Sequence, residues 1–380
     1  MEKTLRLDRV KEQLAELGMN QASVAKSLGL SRNAISKWFN RSAFPRPSEL
    51  LKLGKLLNLS FKELVDSGQA QPAPLVAYRK RAGTKTTDEH TEKAREMGRL
   101  LETLVPHVGY DRFVTPPRLK QPRLEYDYLQ ALVVQVRLEL KLDPTQPIDF
   151  EALIRKFNEL QAVIVPVMWG HRSGHANALH IYLPTSQTTW ILLNLDSELH
   201  DFKFWMAHEL GHVLSVSLLE AGETELAEDF ADAFAGALLF PKGAAQKWLT
   251  AYQRAKSLPR RIAILIEAAA EYVISPFSVY KELEKLANSE GMDFAFINEP
   301  ALHAEISRFH QKVSTISKEM FDGEHPSADR YMRLADERFA TPFFKALGES
   351  VRKANLSENH ISRMLDIPLV DAKGIRAALV

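Results

Sequence analysis

The chain contains no cysteine among its 380 residues. Disulfides, thiolate nucleophiles and cysteine-ligated metals are therefore excluded, and any metal ion must be held by His, Asp or Glu. Long apolar runs are missing too: no stretch approaches the roughly 18 consecutive apolar residues of a membrane span. The first thirty residues are charged throughout and lack the apolar region of a secretory leader, which points to the cytoplasm. No internal repeat and no low-complexity tract stands out. What remains is the composition of an ordinary globular protein, 45% hydrophobic and 26% charged, long enough for two or three domains.

A net charge of +1 averages over segments of opposite sign. Residues 1–67 hold twelve Lys/Arg against seven Asp/Glu, whereas Asp196 to Asp232 holds ten acids against one base, Lys203. The first segment suits a polyanion and the second suits a cation.

Residues 7–66 read as short helices punctuated at Gly18, Gly29 and the Pro45/Pro47 pair. Ser67-Gly68-Gln-Ala-Gln-Pro-Ala-Pro breaks the pattern, followed by the basic Arg79-Lys80-Arg81 and a helix predicted over about Asp88 to Leu104. A second connector, with Pro116, Pro117 and Pro122, precedes helices predicted from Glu125 and from Asp149. Ala162–Trp169, Leu179–Leu183 and Thr189–Asn194 are short, β-branched and apolar, and read as strands. Helices over about Asp201–Leu219 and Glu223–Phe240 follow, and the last ninety residues are helical in pattern.

Within the first segment Asn20 is a good N-cap for Gln21–Leu28, Gly29 supplies a tight turn, and Ser31 caps Arg32–Phe39. Counting from Gln21, small Ala25 falls fifth, Gly29 ninth and β-branched Ile35 fifteenth. Two helices crossing at close range need a small residue at the crossing, a residue tolerant of positive φ at the turn, and an apolar wedge beneath the second helix. In this spacing residues 7–66 resemble the Cro/repressor (XRE) type of helix-turn-helix. The resemblance implies that Arg32, Asn33 and Lys37, with Ser36 nearby, face base edges of double-stranded DNA, and that Gln21 lies on phosphate. Phe39 and the longer Asn40–Pro47 loop depart from that type.

The second segment carries His208-Glu209-Leu210-Gly211-His212 in an apolar helical context. Histidines four apart share a helix face and can hold one ion, with Glu209 placed to meet a water beside it. Alone, such a motif arises in on the order of one chain in a hundred of this length. Here Glu228 follows on a second helix whose Ala231, Phe234, Ala235 and Leu238 form an apolar face, so it can pack against the first and present a third ligand. Asp232 is then placed to accept the other N–H of a ligand histidine. Glu223, Glu225 and Asp229 compete with Glu228 as third ligand, while His171, His175 and His180 fit a polar stretch better than a second metal site.

These blocks, with the strand ending Leu192-Leu193-Asn194 before them and Val273-Ile274-Ser275 after them, are similar to the ImmA/IrrE family of metallopeptidases. The resemblance covers about residues 125–290. It implies an ion, zinc or another divalent metal such as manganese, on His208, His212 and Glu228, with Glu209 as general base and a regulatory protein, typically a repressor, as substrate; the chain's own linker is the alternative substrate. Tyr272, Tyr280 and the histidines of 171–180 are the candidates for stabilising the tetrahedral intermediate. The fold expected is α+β and predominantly helical. It comprises an all-α helix-turn-helix domain over 1–68, a linker with one helix over 69–124, a zincin-like peptidase domain with a small sheet over 125–290, and a helical C-terminal region over 291–380. A homodimer reading a two-fold DNA site is expected. The competing reading is a non-proteolytic repressor, or an antitoxin-like regulator with a toxin partner, whose metal domain is a sensor or partner-binding module.

Overall fold

The computed structural model describes residues 4–66, 72–77, 88–110, 117–170 and 177–380. The break at Ser67-Gly68, the basic Arg79-Lys80-Arg81, Pro116, His171 and His175 lie outside the described residues.

The N-terminal unit consists of α1 (Leu7–Glu16), α2 (Gln21–Leu28), α3 (Arg32–Phe39), α4 (Pro47–Leu57) and α5 (Phe61–Leu64). A short antiparallel pair, β1 (Thr4–Leu5) with β2 (Val65–Asp66), ties its two ends together, an addition to the all-helical expectation. Val10, Leu14, Val24, Leu28, Ile35, Trp38, Leu53 and Leu57 close one core beneath these helices.

The central sheet has the order β3-β5-β6-β4. β4 (Ala162–Val167) lies parallel to β6 (Thr188–Asn194), and β5 (Ala178–Leu183) is antiparallel to it. β3 (Leu75–Ala77) adds antiparallel to β5, with Ala77 opposite His180. Residues 69–124, expected as a linker with one helix, thus supply an edge strand of the central sheet. The reason is physical: the outer edge of β5 offers unpaired backbone groups, and three residues suffice to pair with them. α6 (Asp88–Leu101), continued by a 3-10 turn over Glu102–His107, packs back on β3 and β5. α7 (Tyr126–Glu139) and α8 (Phe150–Glu159) lead into β4.

Every residue of β4, β5 and β6 is buried, which explains why these runs are largely apolar on both faces rather than alternating. α9 (Leu199–Leu214) lies on β5 and β6. Thirteen of its sixteen residues are buried, so it is a core helix, covered almost all round, His208, Glu209 and His212 included. After α10 (Val216–Glu220), α11 (Thr224–Leu239) packs along α9. α12 (Lys242–Arg254), α13 (Leu258–Tyr272) and α14 (Pro276–Ser289) complete the half. Buried Arg137 of α7 donates to the carbonyls of Leu238, Asp143 and Gln146, placing a cation at the C-terminal end of α11. Among the described residues no single helix is long and apolar enough to cross a membrane.

The last ninety residues, α15 (Glu299–His310), α16 (Ile316–Met320), α17 (Ala328–Phe339), α18 (Phe343–Ala354), α19 (Glu358–Leu365) and α20 (Leu369–Leu379), are helical as expected and are built into the same body. The hydroxyls of Tyr331 and Thr341 donate to the carbonyls of Pro166 and Ile164, capping the open edge of β4. Residues 314–317 pair with the segment leading into α9, through Ile316 N–H to the Ser197 carbonyl and Ser317 N–H to the Leu195 carbonyl.

The C-terminal helices also correct the expectation that the chain has no internal repeat. α18–α20 repeat the backbone punctuation of α1–α3 at an offset of 337 residues, with left-handed Asn355 and Asp366 standing where Gly18 and Gly29 stand. Both middle helices have eight residues. Buried Val24, Leu28, Ile35 and Trp38 correspond to buried Ile361, Leu365, Ala372 and Ile375. The repeat lies in conformation and burial, and Asn and Asp tolerate the left-handed region that Gly takes without cost, so residue identity conceals it. The exposed faces differ: Arg32, Asn33, Ser36 and Lys37 correspond to Leu369, Val370, Lys373 and Gly374, and Gln21 to Glu358.

Candidate metal centre and DNA-reading face

In the N-terminal unit the local chemistry explains the geometry. Asn20 and Ser23 form a capping box, with Asn20 Oδ1 accepting from the Ser23 N–H at 3.0 Å and Ser23 Oγ accepting from the Asn20 N–H at 2.8 Å. Gly29 takes φ 67°, and Ser31 Oγ accepts from the Ala34 N–H. Ala25 and Ile35 are buried at the crossing of α2 and α3. Gln21, Arg32, Asn33 and Lys37 are exposed, Arg32 and Asn33 at the start of α3. Ser36 is half-buried, and its hydroxyl accepts from Asn40.

At the second site α9 and α11 bring two histidines and two carboxylates together. Their axes approach closely because Gly211 faces Ala231: a Cβ on Gly211 would meet the Ala231 Cα at 2.9 Å and the Phe234 ring at 3.3 Å. One turn of α9 places His208 Nε2 3.0 Å from His212 Nε2. From α11, Glu228 reaches to 3.4 Å from His208 Nε2 and 3.6 Å from His212 Nε2. One ligand atom from each of the three residues lies within 4.8 Å of the others. His208 Nδ1 bonds Asp232 Oδ1 at 2.9 Å, so Asp232 orients the first histidine from the far side of its ring. Of the competing third ligands, Glu223, Glu225 and Asp229 do not join this group.

The donor set fits a divalent ion. Both histidines are fully buried, and the Glu228 carboxylate oxygens and one Glu209 oxygen are buried without a hydrogen-bond partner. Such an arrangement is costly unless a cation completes it. Two imidazole nitrogens, one carboxylate and an adjacent free carboxylate are the equipment of an open, hydrolytic zinc site.

The electrostatics show what stands in for that charge. Burial opposes the charged form of His208, but its hydrogen bond to Asp232 and the nearby Glu228 and Glu209 carboxylates outweigh it and push the imidazole up to about 9. His212 is held well below the usual histidine range, by burial first and then by the neighbouring His208 and His180. Burial raises Glu228, partly offset by His208. At neutral pH His212 is therefore a ready lone-pair donor, whereas His208 carries a proton that an ion must displace. We expect zinc uptake at pH 7 to release about one proton and apparent zinc affinity to rise with pH until His208 titrates near 9. Titration calorimetry in buffers of different ionisation enthalpy counts the protons. Proton-neutral uptake at pH 7 would contradict this assignment.

The candidates for intermediate stabilisation separate clearly. The Tyr272 hydroxyl donates to the Thr145 carbonyl, and the Tyr280 hydroxyl accepts from the Ile297 N–H, so both are engaged elsewhere. His180 of β5 lies against the metal group, its ring centroid 5.4 Å from that of His212. A second group with metal-ligand chemistry, Glu198, Asp201 and His310, is more exposed. There His310 lies 3.3 Å from Glu198, a contact that raises its imidazole and favours the ion pair over an empty cluster of carboxylates.

Two stretches match known families. Residues 10–64 match the model described as Helix-turn-helix, and residues 167–284 match that of the M78 peptidases, described as IrrE N-terminal-like domain. The chain therefore joins an XRE-type helix-turn-helix to an ImmA/IrrE metallopeptidase-like domain. No curated protein matches it.

Proposed function

We propose that the protein is a cytoplasmic DNA-binding transcriptional regulator whose second half is a zinc-dependent endopeptidase acting on a specific regulatory protein, a repressor or the chain's own linker. The observation that carries this reading is the convergence of His208, His212 and Glu228, with Glu209 adjacent, in a buried site between α9 and α11. A divalent ion there, zinc or manganese, supplies the Lewis acidity that polarises a scissile carbonyl and acidifies a water. Glu209 follows His208 around the helix and takes the water's proton, then returns it to the leaving amine. Asp232 holds the His208 ring so that its Nε2 faces His212 and Glu228, the residues that would hold the ion with it, and the aromatic rings of Phe204 and Trp205 pack beside it and limit its rotation.

The first half places the protein on duplex DNA, as a homodimer on a two-fold site. Arg32, Asn33 and Lys37 read bases, Ser36 assists, and Gln21 positions the unit on phosphate. The C-terminal repeat lacks these groups: its equivalent of Gln21 is Glu358, which repels phosphate, and Leu369 and Val370 offer no hydrogen bonds to base edges. DNA affinity of the full chain should therefore fall steeply with salt and depend on the N-terminal unit. Arg32→Ala should cost about 1–3 kcal/mol and relax specificity, Gln21→Ala should weaken all sequences more evenly, and Leu369→Ala should change neither. Fluorescence anisotropy across a salt series measures this. Equal losses from Arg32→Ala and Leu369→Ala would overturn the assignment of reading to α3.

A further inference from the structure

His180 has no role in the reaction as described, yet it is the least solvated polar side chain beside the site. It is completely buried on β5, and neither ring nitrogen has a hydrogen-bond partner. Its Nδ1 lies 3.6 Å from Glu209 Oε2, an oxygen that is itself buried and without a hydrogen-bond partner. β5 packs against α9, with His180 fixed across the sheet opposite Ile191 on one side and Ala77 on the other. The imidazole is therefore aimed by three strands at one carboxylate. It does not belong to the ligand group, whose atoms come from His208, His212 and Glu228.

A neutral imidazole has one N–H to give, and a buried donor facing a buried acceptor loses heavily if the two stay apart. We propose that His180 is a positioning residue for Glu209: its Nδ1–H donates to Glu209 Oε2, which would leave Oε1 as the oxygen that removes the proton. The inference rests on the peptidase reading above, in which Glu209 is the base. Three neighbouring strands fix the donor, so the carboxylate approaches the ion in one orientation rather than several. This is the preorganisation that proton transfer requires. The same contact explains why β3, drawn from the connector region, matters to the site: it closes the outer side of the strand that carries His180.

The test uses the full chain loaded with Co2+ and a small probe, acetohydroxamic acid, which chelates such an ion and gives its proton to a neighbouring carboxylate. Its affinity, followed by the visible Co2+ bands, reports the placement of Glu209 without any substrate. His180→Phe keeps the bulk and removes the donor. It should leave Co2+ affinity within about three-fold of the parent while hydroxamate affinity falls about ten- to hundred-fold, the range typical of groups that orient a metal site from behind its ligands. His180→Asn, which restores an N–H, should recover most of that loss, and a variant that also carries Glu209→Gln should be no weaker than Glu209→Gln alone. Unchanged hydroxamate affinity in His180→Phe overturns the proposal. Loss of Co2+ as deep as that of His212→Ala makes His180 a ligand instead, and additive losses in the double variant place it on the probe rather than on Glu209. A parent protein that takes up no Co2+ removes the metal reading itself, an outcome distinct from the others.

Discussion

Replacing His208 by alanine should strip the metal from the full chain. A four-ligand zinc site binds with roughly 10–16 kcal/mol in all, or about 3 kcal/mol per ligand, so losing one of three protein ligands should weaken zinc by on the order of a hundred-fold or more. Two further effects add to this. Asp232 loses the ring that it orients, and buried Glu228 loses the imidazole 3.4 Å away, which leaves its carboxylate less compensated. Ligand linkage then supplies an independent measurement. At a hundred-fold excess over the dissociation constant, bound zinc stabilises the fold by about 2.7 kcal/mol, so a chelator should lower the melting temperature of the parent protein and leave that of His208→Ala unchanged. DNA affinity should survive the substitution, because the N-terminal unit closes its own core around Val10, Val24, Ile35 and Leu53. Full metal occupancy in His208→Ala, measured by elemental analysis after dialysis, would remove this site.

The two sites were legible in the sequence to different depths, for physical reasons. Local chemistry is readable where one residue type answers one need: Asn20 and Ser31 as caps, Gly29 at a left-handed turn, Ala25 at a crossing, and two histidines one helical turn apart. Glu228 was one of several acids within reach, and only the packing of Gly211 against Ala231 selects it, by bringing α11 close to α9 in that register. His180 could not be chosen from its neighbours on the chain, since a strand residue faces a helix only once the sheet order and the packing partner are known. The three residues of β3 carry no periodicity at all, and their pairing follows from the exposed edge of β5. For the DNA-reading residues, exposure at the start of α3 agrees with the expectation but is shared by any solvated helix face, so only binding measurements distinguish them.

The repeat of α1–α3 in α18–α20 bears on how the halves are joined. The 3-10 turn over Glu102–His107 packs against α4 on one side and α18 on the other, and Lys55 of α4 donates to the Tyr110 carbonyl at 3.0 Å. On the opposite flank the Trp169 indole N–H donates to the Leu365 carbonyl of α19, just beyond β4. The connector thus joins the N-terminal unit to the C-terminal unit, which in turn packs on β4 through α17 and α18. The middle helix of the C-terminal unit is tied to α6 by Lys93 with Asp366 and by Arg363 with Glu96. Surface ion pairs of this kind contribute little each, about 0–1 kcal/mol, so the attachment depends mainly on the buried Ile361, Met364 and Leu365.

Glu209→Gln should abolish hydrolysis while leaving metal content, fold and DNA affinity intact. The substitution keeps size and hydrogen-bonding capacity and removes only basicity, and Glu209 contributes no atom to the ligand group. Loss of a general base costs about 10²–10⁴-fold in rate when another group or water cannot replace it, and burial of this position makes replacement by solvent difficult. The measurement pairs two readouts on the same variant: cleavage of a repressor encoded beside the protein's own gene, or of the chain's linker, and transcription from the controlled promoter in cells. If both fail together, regulation proceeds through proteolysis. If the variant no longer cleaves yet regulates normally, the metal domain acts as a sensor or partner-binding module and the peptidase reading is wrong as an account of function. If it cleaves at the parental rate, Glu209 is not the base, and another group at the site takes the proton.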